Sequence, residues 1–434
     1  MEVRRIKYYG RLVKDHHILT NEVIEQTVRG VRLSDGHYRC AQCHSTQSHH
    51  FYTYQPYLNE ESVTYCRNCI QLGKMESDQD VFYIKSEQAA TDGAYHLPFN
   101  LSEQQSYASA QIVKAIASME SLLLYAVTGA GKTEMIFEGI KYARQLGLNV
   151  AVVSPRVDVV IEVALRIKEA FKNEQIDVLY QGHKQVFNGH FVISTIHQLF
   201  RFKSHFDVIF VDEVDAFPLS MDKSLQQSLI YASKATHSHL LMTATPPKKL
   251  LRSFKNNQII TLPARFHRKR LPVPQYQYFK LNTSKCQSKL LHILKEQVRK
   301  NRYTLVFFNH IRRMEDTYVH YKPHIKGLIT VFSEDALRHD KVEALRRGEH
   351  SVVFTTTILE RGFTMASLDV IVVDSHLFQA NALVQIAGRV GRKKEMPTGL
   401  VLFLHEGISL SMLKASRMIK SMNRLGIERG WIDA

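Results

Sequence analysis

Short apolar runs recur along most of the chain, separated by longer stretches in which apolar residues return every three or four positions. From about residue 100, "SLLLYAV", "NVAVVSP", "HFVISTI", "FDVIFVDE" and "HLLMTAT" have the length and turn-bounded flanks of buried strands. Between them, stretches such as "EMIFEGIKYARQLG" have helical spacing, here stopping at Gly147. The alternation predicts an α/β fold, a parallel sheet with helices on both faces. It breaks at "TLPARFHRKRLPVP", where three prolines and a basic cluster predict an interdomain linker. It resumes with "QYQYFKL", "YTLVFFN", "KGLITVF", "SVVFTTT", "LDVIVVD" and "TGLVLFL", a second α/β domain of similar size. Residues before about 95 read differently, with "MESDQD" and "SEQAATDGAYHLP" as loops around short strands. The expected domains are 1–95, 96–265 and 266–434. No short repeat or low-complexity tract interrupts them.

Composition adds one strong feature. Of 434 residues, 44% are hydrophobic and 23% charged, which suits a globular protein with a sizeable core. Lys and Arg number 57 against 41 Asp and Glu, a net charge of +16. That balance points to a polyanionic partner, nucleic acid first; a merely basic protein is the alternative. The opening "MEVRRIKYYG" has no apolar stretch after its basic residues, and no run approaches the roughly 20 apolar residues of a membrane span. The expected location is the cytoplasm, which the cysteine usage also fits.

The phosphate chemistry sits in "YAVTGAGKTEM". A strand runs into Thr128-Gly129-Ala130-Gly131-Lys132-Thr133 and a helical pattern follows, the context that a phosphate loop requires. Such a turn presents backbone N–H groups at a helix N-terminus; Lys132 reaches β- and γ-phosphates and the Thr133 hydroxyl can ligate Mg²⁺. Ala126 stands where the usual pattern has its first glycine. At a strand end, extended backbone with a small side chain suffices. The alternative is a chance glycine turn.

A metal-bound nucleotide also needs a carboxylate at a strand end. "FDVIFVDEVDAFP" supplies Asp212, placed to orient Mg²⁺, and Glu213, placed to polarise the attacking water. Two adjacent acids at a buried strand end are costly without a cation; a solvated acidic turn is the alternative. "VQIAGRVGR" places Arg389 and Arg392 three apart on one helix face. Presented to a nucleotide on the other domain, they would stabilise the transferring phosphoryl group. Bound between the two α/β domains, ATP would draw them together and hydrolysis would release them.

Five cysteines complete the inventory. Cys40-x₂-Cys43 and Cys66-x₂-Cys69 have 22 residues between the pairs, a spacing for one tetrahedral Zn²⁺ with four thiolate ligands. An iron–sulfur centre and a redox CxxC are the alternatives. His37, His44, His49 and His50 lie close enough to replace a cysteine. Neither pair is followed by glycine, the residue of a standard knuckle. A closed site of this kind serves folding, docking or DNA contact. Cys286 reads as an ordinary thiol. In the linker, Arg265, Arg268, Lys269 and Arg270 read equally as phosphate contacts or as a solvated hinge.

Taken in order, these motifs resemble the superfamily 2 helicases and translocases over about residues 100 to 405. "LSEQQ" resembles the adenine-contacting motif through Gln105. "AVTGAGKTE" and "VDEVD" resemble motifs I and II, and "SPRVDVV" and "STIHQL" resemble the strand-contacting motifs Ia and Ib. "MTATP" resembles coupling motif III, and "VFFNHI", "TTTILERGFTM" and "QIAGRVGR" resemble motifs IV, V and VI. With the tetrad Asp-Glu-Val-Asp, "DAFP" after it and a four-cysteine module before it, the chain is similar to the ComFA-type competence helicases, whose motor is like that of the longer primosomal helicase. The resemblance implies two tandem RecA-like parallel-sheet domains preceded by a small zinc-binding domain. It implies ATP, Mg²⁺ and Zn²⁺ as cofactors, Gly362 near the nucleotide, and coupling through Thr243, Thr245 and Gln385. It implies contacts from Arg156, Thr195, Asn309 and Thr356 to the backbone of single-stranded DNA, leaving the bases unread. The partners it implies are a membrane DNA channel, a phosphoribosyltransferase-like competence protein and a single-strand loading protein, reached peripherally at the inner face of the membrane. An RNA-remodelling or replication-restart helicase is the enzymatic alternative. A zinc-dependent DNA-binding adaptor without a motor is the non-enzymatic one.

Overall fold

The computed structural model describes residues 8–14, 24–57, 61–360, 363 and 365–433. Each apolar run quoted above forms a strand. One sheet has seven strands in the order Ile176–Leu179, Phe191–Thr195, Val150–Ser154, Phe206–Asp212, Ser233–Thr243, Leu122–Ala126 and Ile259–Leu262. The first five of these pair in parallel. Strand Val150–Ser154 is buried at every position, as a strand covered on both faces must be. Ile176–Leu179 and Ile259–Leu262 were not expected. The first is only four residues long, with Asp177 inside it accepting from the backbone N–H groups of Val186, Phe187 and Gly189.

A second sheet has six strands, ordered Gln275–Tyr278, Val401–His405, Leu368–Val372, Tyr303–Phe307, Val352–Thr355 and Ile329–Val331, all parallel. Its apolar core is its own, built on Leu290, Leu294, Val306, Phe354, Ile371 and Leu404.

The N-terminal region is small antiparallel work. Leu12–Val13, Asp80–Ile84 and Ile24–Arg29 make one sheet; Phe51–Tyr54, Val63–Cys66 and Met75–Glu76 make another. Between them lies the hairpin Val31–Ser34 with His37–Cys40, closed by Asp35 and Gly36, both at positive φ. Asp-Gly is the pair that a two-residue turn of this hand favours. This region shares one core with the seven-stranded sheet: Val31, the four paired cysteines and Met75 pack in the same cluster as Ala151, Val153, Ile196 and Ile209.

By contact density the chain divides into two compact units. Residues 1–100, 106–124 and 133–260 form the first, and 101–105, 125–132 and 261–434 the second. Among the described residues, no helix is long and apolar enough to cross a membrane.

Candidate nucleotide site and metal centre

The phosphate loop grows from strand Leu122–Ala126. Ala126 closes the strand fully buried, so this position calls for a small side chain in extended backbone. Gly129 and Gly131 both carry φ of +80°, a conformation that side chains resist. Ala130 N donates to the Val127 carbonyl at 3.2 Å, and Lys132 opens helix Lys132–Met135 with Thr133 as its second residue. Gln105 is 3% exposed and donates from Nε2 to the Ala130 carbonyl at 3.1 Å while its Oε1 accepts from Ser102 N. It braces the loop. Gln104, which the motif reading passed over, bonds both N and O of Ala264 through its amide, at 2.9 and 2.6 Å.

The second unit carries this loop together with the arginine segment. Gly388 lies so close that a Cβ on it would meet Thr128 Oγ1 at 2.0 Å; only glycine permits the approach. A Cβ on Gly129 would stand 3.6 Å from Arg392 Cγ. Arg392 Nε donates to the Gly388 carbonyl at 2.9 Å. Arg389, 2% exposed, donates from Nε to the Glu360 carbonyl at 2.9 Å and from Nη1 to the Phe363 carbonyl. Helix Ala380–Ala387 ends before them, so the two arginines do not share a helix face and they differ in place: Arg392 borders the loop, while Arg389 holds the backbone after strand Val352–Thr355. Gln385 is buried on helix Ala380–Ala387. Gly362 lies outside the described residues.

Arg265 is neither a solvated hinge nor a surface phosphate contact. It is 1% exposed. Its guanidinium donates to four carbonyls: Thr128 at 3.1 Å, Val390 and Gly391 at 2.6 Å each, and Gly388 at 3.1 Å. Burial, then the charge of Arg392, pushes its pKa down to about 9. One buried cation therefore ties the phosphate loop to the arginine segment. Arg268 and Lys269 pair with Asp433, each at 3.0 Å. A linker basic cluster looks solvated in sequence because nothing local marks which member turns inward.

In the first unit, Asp212 ends strand Phe206–Asp212, and its Oδ1 accepts from Glu213 N at 2.9 Å. Glu213 sits at φ +55°, uncommon for a side chain of its size and a form of strain that collects at functional sites. Asp215 is the residue missed. Thr243 Oγ1 donates to its Oδ1 at 2.6 Å and Thr245 Oγ1 to its Oδ2 at 2.5 Å. Thr245 N closes the set on Thr243 Oγ1 at 2.9 Å. The fourth member of the "DEVD" tetrad was the available signal, and it joins motif II to motif III.

The four strand-contact candidates fall at carboxyl ends of neighbouring strands. Ser154, two residues before Arg156, pairs with Thr195, and Phe307, two before Asn309, pairs with Thr355, the neighbour of Thr356. Arg156 occupies the N-cap position of helix Val157–Ala170 without a side-chain capping bond, and Asn309 is exposed. Thr195 is 5% exposed, so it offers little side-chain surface.

The four paired cysteines come together. Their sulfur atoms lie within 4.8 Å of one another, with Cys40–Cys69 and Cys43–Cys66 each at 3.6 Å. These distances are too long for disulfides. They match the edge of about 3.8 Å that a tetrahedron with Zn–S bonds of 2.3 Å requires. Hydrogen bonds among the sulfurs, that from Cys40 first, hold the Cys43 thiol far below its ordinary range, while contacts with Cys43 and Cys40 push Cys40 and Cys69 up respectively. The donor set fits zinc. The histidines are not part of it: the His44 ring lies 3.9 Å from that of Tyr231, and His50 Nδ1 bonds Ser45 Oγ at 2.7 Å. His44 instead supplies the turn that glycine makes elsewhere, at φ +56° directly after Cys43. Cys286 is a free, half-buried thiol.

Comparison with known proteins agrees with this geometry. Residues 5–83 match the family described as Competence protein ComFA N-terminal domain. Residues 98–248 match Type III restriction enzyme, res subunit, and 286–394 match Helicase conserved C-terminal domain. Competence protein ComFA of Bacillus subtilis is 37% identical over 407 residues, 91% of this chain and 88% of the relative. That of Streptococcus pneumoniae is 31% identical over 433 residues, 96% and 98% respectively. Among solved structures, a Dbp5 variant of S. cerevisiae bound to RNA and ADP BeF3 superposes with a TM-score of 0.54 at 13% identity, over 74% of this chain and 92% of that one. The Mycobacterium smegmatis helicase Lhr, bound to ssDNA and AMP-PNP, gives 0.56 at 18%, over 75% of this chain and 50% of that one. These last two speak for the fold, two RecA-like domains. The chain belongs to the ComFA competence proteins and is a superfamily 2 helicase-type ATPase with a four-cysteine N-terminal region.

Proposed function

We propose that the chain is a single-stranded DNA translocase that couples ATP hydrolysis to the inward movement of transforming DNA. The observation that carries this reading is the neighbourhood of the phosphate loop: Arg392 beside Gly129, and Arg265 bonded to both segments. In this reading Thr128, Gly129, Ala130 and Gly131 cradle phosphates through their backbone, and Lys132 meets the terminal phosphates. Thr133 and Asp212 would hold Mg²⁺, which neutralises developing charge on the phosphoryl oxygens. Glu213 orients water and accepts its proton. Arg392 stabilises charge on the transferring group, and Arg389 keeps motif V in register with it. The triad of Asp215, Thr243 and Thr245 transmits hydrolysis to the strand ends that carry Arg156 and Thr195.

The N-terminal region would extend to about residue 95, with motor domains at 96–265 and 266–434. Zinc on the four cysteines would hold it folded. The DNA channel, the phosphoribosyltransferase-like protein and the loading protein are the proposed partners, met at the inner face of the membrane. The test is ATP turnover with single-stranded DNA, duplex DNA, RNA or no polymer. Stimulation by single-stranded DNA above the other three supports the assignment. Equal or greater stimulation by RNA moves it to RNA remodelling, and an inert protein moves it to a DNA-binding adaptor.

A further inference from the structure

A cavity of about 260 Å³ lies within the first unit, where the cysteine module meets residues 203–231. Its wall brings together Arg32, Arg39 and Lys203 with the rings of His44, Tyr83 and Tyr231; among the described residues its lining includes no Asp or Glu, and Cys40 closes it on the metal-centre side. Arg32 and Arg39 stand directly opposite each other across the hairpin. Like charges in that register weaken a β-ribbon, so the pair needs a reason. Arg39 Nε is shut off from water and, among the described residues, has no hydrogen-bond acceptor. Lys203 Nζ sits 3.9 Å over the Tyr83 ring and, among the described residues, bonds a neutral group, Gln26 Oε1, at 3.2 Å. The Tyr83 hydroxyl is fixed by the Ala41 carbonyl at 2.8 Å, and the His44 and Tyr231 rings already lie against each other, tilted by 34°.

Concentrated positive charge without an acid calls for an anion, and flat rings beside it call for a flat, π-faced group. We propose that this cavity holds one nucleotide, its phosphate on Arg32 and Arg39 and its base against the His44–Tyr231 ring pair. The occupant is a unit of the translocating strand or a free mononucleotide; both present the same chemistry. The strand arm rests on the single-stranded DNA reading above. Because Cys40 ends the strand that carries Arg39, a metal on the four cysteines would hold that strand end in place beside the pocket.

The experiment uses the full zinc-loaded chain. Affinity for a labelled oligothymidylate is measured by anisotropy across a salt series, and an iodouracil-substituted oligomer or iodouridine monophosphate is photocrosslinked and mapped. Variants are the double Arg32→Ala/Arg39→Ala and, separately, Tyr231→Leu; retained zinc and unchanged DNA-independent ATPase confirm that each is folded. The double variant should bind the oligomer about tenfold more weakly, with the salt slope shallower by about 0.7 for one lost phosphate contact on a single strand. Crosslinks should map to the peptides holding His44 and Tyr231 and fade in Tyr231→Leu. If the wild type binds no oligomer but the mononucleotide crosslinks there, the pocket stands and the strand reading falls. If the wild type binds the oligomer while the double variant keeps its affinity and slope and no crosslink maps to the seam, the pocket is overturned and the strand reading survives.

Discussion

The cysteine module and the six-stranded sheet reach stability by different routes. The sheet is self-sufficient: parallel strands such as Val352–Thr355 are buried at every position and pack in a core of their own. The module has strands of two to six residues, and its most buried positions include the four cysteines themselves. A region that short of apolar area would gain its stability from a metal on those cysteines and from a larger neighbour. Its neighbour is the seven-stranded sheet, with which it shares one cluster. Loss of the metal should therefore be felt in the first unit and hardly at all in the second.

The largest effect expected is chemical and leaves that contrast untouched. Lys132→Ala should cut ATP turnover at least about a hundredfold, the scale of a lost charge-stabilising contact, with unfolding unchanged. Wild-type turnover in this variant would remove the phosphate loop from the account.

Metal removal addresses the contrast itself. Cys40→Ser, or a chelator, should cost several kcal/mol, since apparent zinc-binding free energies of about 10–16 kcal/mol act as folding energy. Hydrogen exchange should rise along Val31–Ser34 and His37–Cys40 and spread into Ile196–Arg201, leaving Tyr303–Phe307 protected. Equal loss in both sheets would contradict the division.

Arg265→Met sharpens it from the other side. Four carbonyls lose their donor, so the loop around Thr128 should loosen and a fluorescent ATP analogue should bind about tenfold more weakly, an effect near the 1–3 kcal/mol cost of leaving buried polar groups unsatisfied. Arg265→Lys should recover only part, because an ammonium cannot reproduce a planar fork. Unchanged nucleotide affinity in both would show that the tie is idle.

Acid gives the smallest effect. Burial holds His205 at about 3 and His239 at about 4, both in the first unit. With folded values depressed below the unfolded 6.5, the unfolded chain binds more protons, so stability is intact above pH 6.5 and falls as pH drops toward those values. Each should cost on the order of 2 kcal/mol between pH 6.5 and 4.5. His239→Gln should flatten the slope of the unfolding midpoint against pH in proportion; a slope that does not move would deny its burial as a neutral ring. Zinc release acts in the same direction, so metal content is followed in parallel.

What could be read from sequence follows a physical line. Strands came through because a sheet covered on both faces writes itself as continuous apolar runs. The glycine loop and the paired cysteines came through because their chemistry admits few residues at fixed spacing. Arg265, Asp215 and the opposed Arg32 and Arg39 did not, since each acts through distant partners: Arg265 on carbonyls more than a hundred positions away, Asp215 on Thr243 and Thr245, Arg39 across a turn that the pattern had not marked. His44 lies next to Cys43, and proximity in sequence alone makes it a candidate ligand; in the fold its left-handed backbone turns the ring to Tyr231.

Most direct for the motor itself is the release of streptavidin from a biotinylated single strand, with the label at either end. Wild type with ATP should strip it from one end faster than from the other, and neither Lys132→Ala with ATP nor wild type without ATP should do so. ATP hydrolysis stimulated by the strand with no release from either end would contradict translocation.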